Sequence, residues 1–344
     1  MVFGDGIAKD MKKKISELRQ DVVSGEWAVI ATGRAKRPHD FLKQAQARKE
    51  DPRDSCPFED LRDDALLVYP YDGKEKREDW WVQVVPNKFP AFGKGGCGDV
   101  NKIGPYKWIE GTGSHEVIIT RDHTRPLGRM TDDEARLVMR AYQERYRALK
   151  GTFCTEYVSI FHNHGPLAGA TMTHPHSQLI AIPVVPPDIR RSLEGSARYF
   201  REKGVCVHCE VIHYEIAARE RIVYENELFV VVAPFASKSA FELRVFPRAH
   251  SAHFEEADPE ALRALANAMR TALGKIHAGL NDPDFNFFLH TAPVIDSEEF
   301  QYYHWHFEII PKTAIWAGFE IGTGIEISVI SPERAAEFLR KVKV

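Results

Sequence analysis

The run Thr173-His174-Pro175-His176-Ser177-Gln178 places two imidazoles, two hydroxyls and a carboxamide within six consecutive residues of this 344-residue chain. In an extended segment residues two apart share a face, so His174, His176 and Gln178 project together. One imidazole can then hold a metal ion while the other enters a reaction centre carried by the same backbone. A neutral imidazole nitrogen is plentiful near neutral pH and is a competent nucleophile toward phosphorus. That chemistry assigns attack to His176 and a hydrogen bond onto a phosphoryl oxygen to Gln178. Asn163 and the small-residue loop 165–171 lie just upstream, and the loop amides are expected to approach a phosphate. The competing assignment is a pair of structural histidines.

Two further sets have the residue types of metal ligands. Cys206 and Cys209 have the two-residue gap of a knuckle, and with His250 and His304 they make a thiolate–imidazole set suited to tetrahedral Zn²⁺ in a structural role. His253 rivals His250 because both lie in one turn, and plain buried thiols are the alternative. The second set is Cys56, Glu59, His123 and His174, where a carboxylate stands in place of the second thiolate. There the alternative is a solvated acid beside a core cysteine. His115 suits ligation less well, since it opens a predicted strand and has no counterpart elsewhere. One or two Zn²⁺ sites are therefore expected. Five cysteines, an odd number in a chain of this size, argue against a disulfide framework.

The elements that must position these residues occur twice. Strand patterns fall at 27–31, 80–85, 116–120, 157–162 and 178–183, and again at 229–233, 242–246, 285–289 and 305–310. Between them lie two amphipathic helices, 131–149 and 258–276, the first opened by a capping box of Thr131 and Glu134. His123 precedes one helix and His250 the other. His174-Pro-His176 and His304-Trp-His306 lead into corresponding strands, and Cys56 and Cys206 head the two halves. Four landmarks in one order predict a duplicated α+β module of antiparallel sheets with flanking helices, divided as 1–190 and 191–344.

Composition narrows the class. Hydrophobic residues make up 44% and charged residues 28% of the chain, ordinary values for a soluble globular protein. A formal net charge of -3 gives no basic face for nucleic acid. No apolar run approaches the roughly 20 residues that span a bilayer, and the N-terminus lacks a secretory apolar stretch. A cytoplasmic protein with no membrane or nucleic-acid partner is expected.

The motif His174–Gln178, with Asn163 upstream, resembles the active-site motif of the galactose-1-phosphate uridylyltransferase family in the histidine-triad superfamily. The stretch from Trp27 to Pro38 is similar to that family's arginine-bearing nucleotide segment, and Val85 to Ala91 to its nucleoside pocket. Gly318-Phe319-Glu320-Ile321-Gly322 resembles its hexose-contacting segment. The resemblance implies a duplicated histidine-triad-like fold, a homodimer, and a ping-pong reaction between a sugar nucleotide and a hexose 1-phosphate. In it His176 would take uridylate from UDP-glucose and pass it to galactose 1-phosphate. It further implies that Asn163, Thr171 and Gln178 contact the transferring phosphate. Arg34 and Arg37 would neutralise the nucleotide, Asn87 and Phe89 hold the nucleoside, and Phe319 and Glu320 the sugar. Zinc would sit on Cys56, His123 and His174. Ser177, Lys88 and Glu59 depart from the best-known uridylyltransferases. With Cys206 and Cys209, the serine and lysine also resemble a plant-type branch acting as an ADP-glucose phosphorylase, which gives adenylate to phosphate. A non-catalytic, zinc-containing nucleotide-binding protein is the reading from another class.

Overall fold

A computed structural model describes residues 16–34, 50–71, 74–93, 95–152, 154–294 and 297–344 of the chain. Ten strands form one sheet: β3 (Leu67–Pro70), β4 (Trp80–Pro86), β7 (Ser114–Thr120), β8 (Tyr157–His164), β9 (His176–Ile182), β10 (Ile222–Glu225), β11 (Phe229–Val232), β12 (Leu243–Pro247), β13 (Phe285–His290) and β14 (His306–Pro311). Their spatial order is β10-β11-β12-β14-β13-β8-β9-β7-β4-β3. Read outward from the centre, β8-β9-β7-β4-β3 on one side matches β13-β14-β12-β11-β10 on the other. Along the chain each half runs three strands, a helix and two strands. This is the duplicated α+β module that the repeated landmarks predict. The halves join where β8 pairs with β13, Phe285 lying opposite His164 and Phe287 opposite His162.

The two repeat helices are α1 (Asp132–Lys150) and α4 (Pro259–Leu280). The Thr131–Glu134 capping box opens α1, and the Asp258 side chain accepts from the Ala261 amide at the head of α4. Leu137, Val138, Ala141, Tyr142 and Tyr146 of α1 are buried, as are Leu262, Leu265, Met269, Leu273 and Ile276 of α4. One continuous apolar core contains both sets, and α1 packs on α4. Two helices follow the first half, α2 (Pro187–Lys203) and α3 (Val207–Ala218). The tail carries α5 (Gly318–Thr323) and α6 (Pro332–Lys341).

The strand expected at 27–31 lies elsewhere. It is β2 (Trp27–Ile30), paired antiparallel with β1 (Glu17–Gln20) and parallel with β15 (Glu326–Ser328) in a separate small sheet. The fifth strand of the first half is instead β3, whose residues are all only partly buried. Alternation of exposed Trp27 with buried Ala28 and Ile30 marks a half-buried strand, and such a pattern does not say which sheet receives it. A hairpin of β5 (Asn101–Ile103) and β6 (Tyr106–Trp108) projects between β4 and β7. The cysteines correct one expectation: Cys97 and Cys154 form a disulfide with Cα atoms 5.4 Å apart, while Cys56, Cys206 and Cys209 are free. An odd count leaves one cysteine over but does not forbid a bond, and the fold brings these two together across 57 positions.

Candidate active site

Strand β9 begins on His176, and its side chains alternate between two environments. Ser177, Leu179 and Ala181 are buried, while His176 and Gln178 are only partly covered on the opposite face. Ser177 is held from beneath: its Oγ lies 2.5 Å from Tyr142 Oη on α1 and 3.0 Å from His162 Nδ1 on β8. The His176 Nδ1–H donates to the His174 carbonyl at 2.9 Å. A carbonyl can only accept, so this bond leaves the lone pair on Nε2. Burial pulls the His176 pKa below the ordinary histidine value, against the His174 carbonyl, which raises it. The ring therefore presents an unprotonated nitrogen, and Phe58 lies against it with ring centroids 5.1 Å apart.

Gln178 stands two residues from His176 on β9, and Asn163 follows His162, the partner of Ser177, on the neighbouring strand β8. Asn163 Oδ1 accepts from Asn286 Nδ2 of β13 at 2.8 Å, and the same nitrogen donates to the Ala168 carbonyl at 2.9 Å. Gln178 Oε1 lies 2.7 Å from His115 Nε2 on β7. Asn87 Nδ2 is 3.0 Å from that ring nitrogen, which brings the expected nucleoside loop to the site. Phe89 is 81% exposed and its amide donates to Asn87 Oδ1 at 2.8 Å. Thr171 is exposed in the loop before His174.

The loop itself corrects an expectation. Gly165 and Gly169 take φ of +83° and +85° around a 3-10 turn, Pro166–Ala168. The turn consumes its own donors: the amides of Ala168 and Ala170 bond Gly165 O, Gly169 bonds Pro166 O, and Leu167 bonds Asp284 Oδ2. Past the turn, no loop bond among the described residues engages the amides of Thr171 and Met172. Donors for a phosphate must come mainly from side chains.

Both metal sets assemble. The candidate ligand atoms of Cys56, Glu59, His123 and His174 lie within 4.8 Å of one another, as do those of Cys206, Cys209, His250 and His304. Cys56 Sγ is 3.4 Å and Glu59 Oε1 is 3.5 Å from His174 Nδ1, and Glu59 Oε1 also touches His123 Nδ1. Cys209 Sγ is 3.3 Å from His250 Nδ1 and 3.5 Å from His304 Nδ1. A tetrahedral Zn²⁺ with the usual bond lengths has ligand–ligand edges of roughly 3.5 Å. The outer nitrogens fix the tautomers: His174 Nε2 donates to Thr120 O, His123 Nε2 to Asp51 O and His304 Nε2 to Pro247 O, at 2.7, 2.8 and 2.9 Å. Each such ring turns Nδ1 inward. His253, the rival to His250, is buried away from the cluster.

The second half lacks the reactive arrangement. His306 occupies the place of His176 and bonds the His304 carbonyl through Nδ1 at 3.1 Å. It is buried, and its Nε2 faces Glu308, which stands where Gln178 does and is paired with Arg244. Arg34 ends a short turn, Thr32–Arg34, and Arg37 lies outside the described residues. Phe319 and Glu320 are on α5, where Glu320 Oε2 accepts from the Ala317 amide. Among the described residues no hydrogen bond or ring contact joins either to the His176 cluster. Sequence reasoning missed Asn286 and Asp51 and set His115 aside. Asp51 Oδ2 accepts from the Thr173 amide at 2.8 Å and holds the turn before His174.

Comparison with known proteins gives the same outline. The family described as Galactose-1-phosphate uridyl transferase, N-terminal domain, matches residues 6–186. A domain of unknown function, DUF4921, matches residues 108–342. An ADP-glucose phosphorylase of Arabidopsis thaliana is 32% identical over 99% of this chain and 97% of its own length. A galactose-1-phosphate uridylyltransferase of Thermotoga maritima is 28% identical over 95% and 99%. The crystal structure of an Arabidopsis thaliana ADP-glucose phosphorylase with bound ADP-glucose superposes with a TM-score of 0.79, covering 96% of this chain and all of that one.

Proposed function

The chain belongs to the galactose-1-phosphate uridyl transferase family of nucleotidylyl-transferring enzymes, and from that premise we propose that His176 carries the nucleotide between two phosphorylated partners. The observation that carries this reading is the free Nε2 of His176 beside the Gln178 and Asn163 carboxamides. In the first step the Nε2 lone pair attacks the α-phosphorus of UDP-glucose. The bond to the bridging oxygen breaks, its electron pair leaves with glucose 1-phosphate, and uridylate stays on Nε2. The Nδ1–H remains on the His174 carbonyl and stabilises the cationic adduct. In the second step a phosphate oxygen of galactose 1-phosphate attacks the same phosphorus and restores the neutral ring.

Arg34 and Arg37 neutralise the nucleotide, Asn87 and Phe89 hold its nucleoside, and Thr171 supplies a hydroxyl or amide near the phosphate. Phe319 and Glu320 meet the sugar, in a homodimer in which a partner lends them, since among the described residues neither makes a hydrogen bond or ring contact with the His176 cluster of its own chain. Exposure of Phe319 (50%) and Ile321 (74%) supports the same assembly. Residues 1–190 form the catalytic half and 191–344 the half that carries the knuckle. Zn²⁺ fits both ligand sets, the first pinning the turn before His176 and the second structural. When bound it supplies rigid charge-neutralising coordination, not the nucleophile. No described helix is long and apolar enough to cross a membrane; a cytoplasmic setting is part of this reading.

Adenylyl transfer from ADP-glucose to phosphate is the second reading, favoured by the 32% identity to the Arabidopsis thaliana enzyme over nearly the whole chain. Incubation with UDP-glucose or ADP-glucose alone tests both. One nucleotide should release an equivalent of glucose 1-phosphate and leave an acid-labile uridylyl or adenylyl mass on the protein, absent in His176→Asn. No added mass with either nucleotide refutes the proposal.

A further inference from the structure

Resting on that reading, we propose that His115 and Asn286 are positioning residues that turn the amide N–H₂ groups of Gln178 and Asn163 toward the transferring phosphoryl group. A carboxamide offers an acceptor on one side and donors on the other, and a phosphoryl oxygen can only accept. Correct orientation of both amides therefore decides whether they attract or repel it.

Each orientation traces back to a backbone group of fixed polarity. The Ala91 N–H can only donate, and it reaches His115 Nδ1 at 3.2 Å. A ring that accepts at Nδ1 carries its proton on Nε2, and that proton has Gln178 Oε1 at 2.7 Å. Asn87 Nδ2, at 3.0 Å from the same ring nitrogen, is itself a donor, because Asn87 Oδ1 is held by the Phe89 amide. It cannot bond Nε2–H, so this contact favours the opposite tautomer and is outweighed by the Ala91 amide and Gln178 Oε1 acting together. With its oxygen occupied, Gln178 turns its N–H₂ away from His115. On the other side the Ala168 carbonyl can only accept, so the Asn286 atom 2.9 Å from it is the amide nitrogen. The same nitrogen is 2.8 Å from Asn163, which must answer with Oδ1. Asn163 Nδ2 is left on the open side, next to Gly169, whose missing Cβ would stand 3.9 Å away. Donors fixed in advance stabilise charge that develops on the equatorial oxygens without reorganising.

His115 comes from the same half as Gln178, whereas Asn286 comes from the other half of the sheet. The catalytically inactive half thus sets the polarity of one active-site amide.

Two measurements decide the proposal. Nitrogen-15 NMR of histidine-labelled, metal-loaded protein should report the Nε2–H tautomer at His115, and the Nδ1–H tautomer overturns the assignment whatever the activity. In single-turnover release of glucose 1-phosphate, His115→Phe and Asn286→Asp should each slow the step by roughly 10–100-fold, with KM within about threefold. His115→Gln, which keeps a donor, should recover much of the rate. In a Gln178→Ala background His115→Phe should cost little more, because its target is gone. An equal loss in both backgrounds, or a wild-type rate in His115→Phe, refutes the positioning role. If the unaltered protein releases no glucose 1-phosphate from UDP-glucose or ADP-glucose, the transfer reaction itself fails. The tautomer then decides the His115 assignment alone.

Discussion

Two adjacent residues, His176 and Ser177, point to opposite faces of one strand and answer to different constraints. Ser177 stands where the best-known uridylyltransferases have glycine, yet its hydroxyl turns away from the site into a contact with Tyr142 and His162. Both partners are buried, and burial drives the His162 pKa well below its ordinary value, so that ring stays neutral. Ser177→Ala leaves two buried polar groups without a partner, a loss of about 1–3 kcal/mol. Denaturant unfolding should show that loss, while the choice between UDP-glucose and ADP-glucose should stay as it was. A switch of nucleotide preference would show that Ser177 reaches the site after all. The spacing of His174, His176 and Gln178 was legible in the sequence because period-two geometry is local. The bond from His115 to Gln178 was not, since it spans 63 positions and depends on which strands become neighbours.

The elements differ in how far their sequences determine them. Thr131 and Glu134 announce the start of α1, and the apolar stripe behind them predicts its buried face. β1, β2 and β15 show the opposite case, because they pair across most of the chain length and β1 is tied by charge to a distant helix. Glu333 at the head of α6 accepts from Arg19 on β1 at 2.7 Å and from Arg221 at 2.9 Å. Burial alone would raise its pKa, but the Arg19 and Arg221 contacts hold it at about 2, down from 4.5. A depressed carboxylate pKa adds stability that is complete above the unfolded value and lost as pH falls through the folded one. Glu333→Gln should therefore destabilise the protein by about 1–2 kcal/mol at neutral pH, allowing for partial exposure. The gap to the unaltered chain should shrink between pH 4.5 and about 2, as followed by urea unfolding across that range. A gap independent of pH would mean that packing, not charge, ties α6 to β1. The knuckle behaves as an element too, since Cys206 caps α3 and Cys209 lies in its first turn, where the helix dipole favours a thiolate. Cys206→Ala should remove one metal equivalent per chain by elemental analysis. It should also lower the thermal midpoint by roughly 5 °C or more, and an unchanged metal content would remove that site.

At the scale of the whole molecule the duplicated halves are not independent units, and the reason is visible at their junction. β8 of one half and β13 of the other are central neighbours, so separating the halves exposes two long unpaired edges. The core crosses the same junction: α1 packs on α4, the Gln143 amide donates to the carbonyls of Glu255 and Ala257, and Lys150 pairs with Glu255. The candidate active site crosses it as well, through the bond from Asn286 to Asn163. Repeated landmarks in the sequence revealed that there were two modules, but the contacts that fuse them have no periodic signature. A fused sheet should unfold in one cooperative transition, with calorimetric and van't Hoff enthalpies in agreement. Residues 1–190 expressed alone should lack that transition and should acquire no nucleotidyl mass, although they contain His176, Gln178 and Asn163. Supplying residues 191–344 as a separate chain should restore both by pairing the two edges. If the isolated first half folds and takes the nucleotide unaided, the second half is an appendage, and the support of Asn163 from β13 is dispensable.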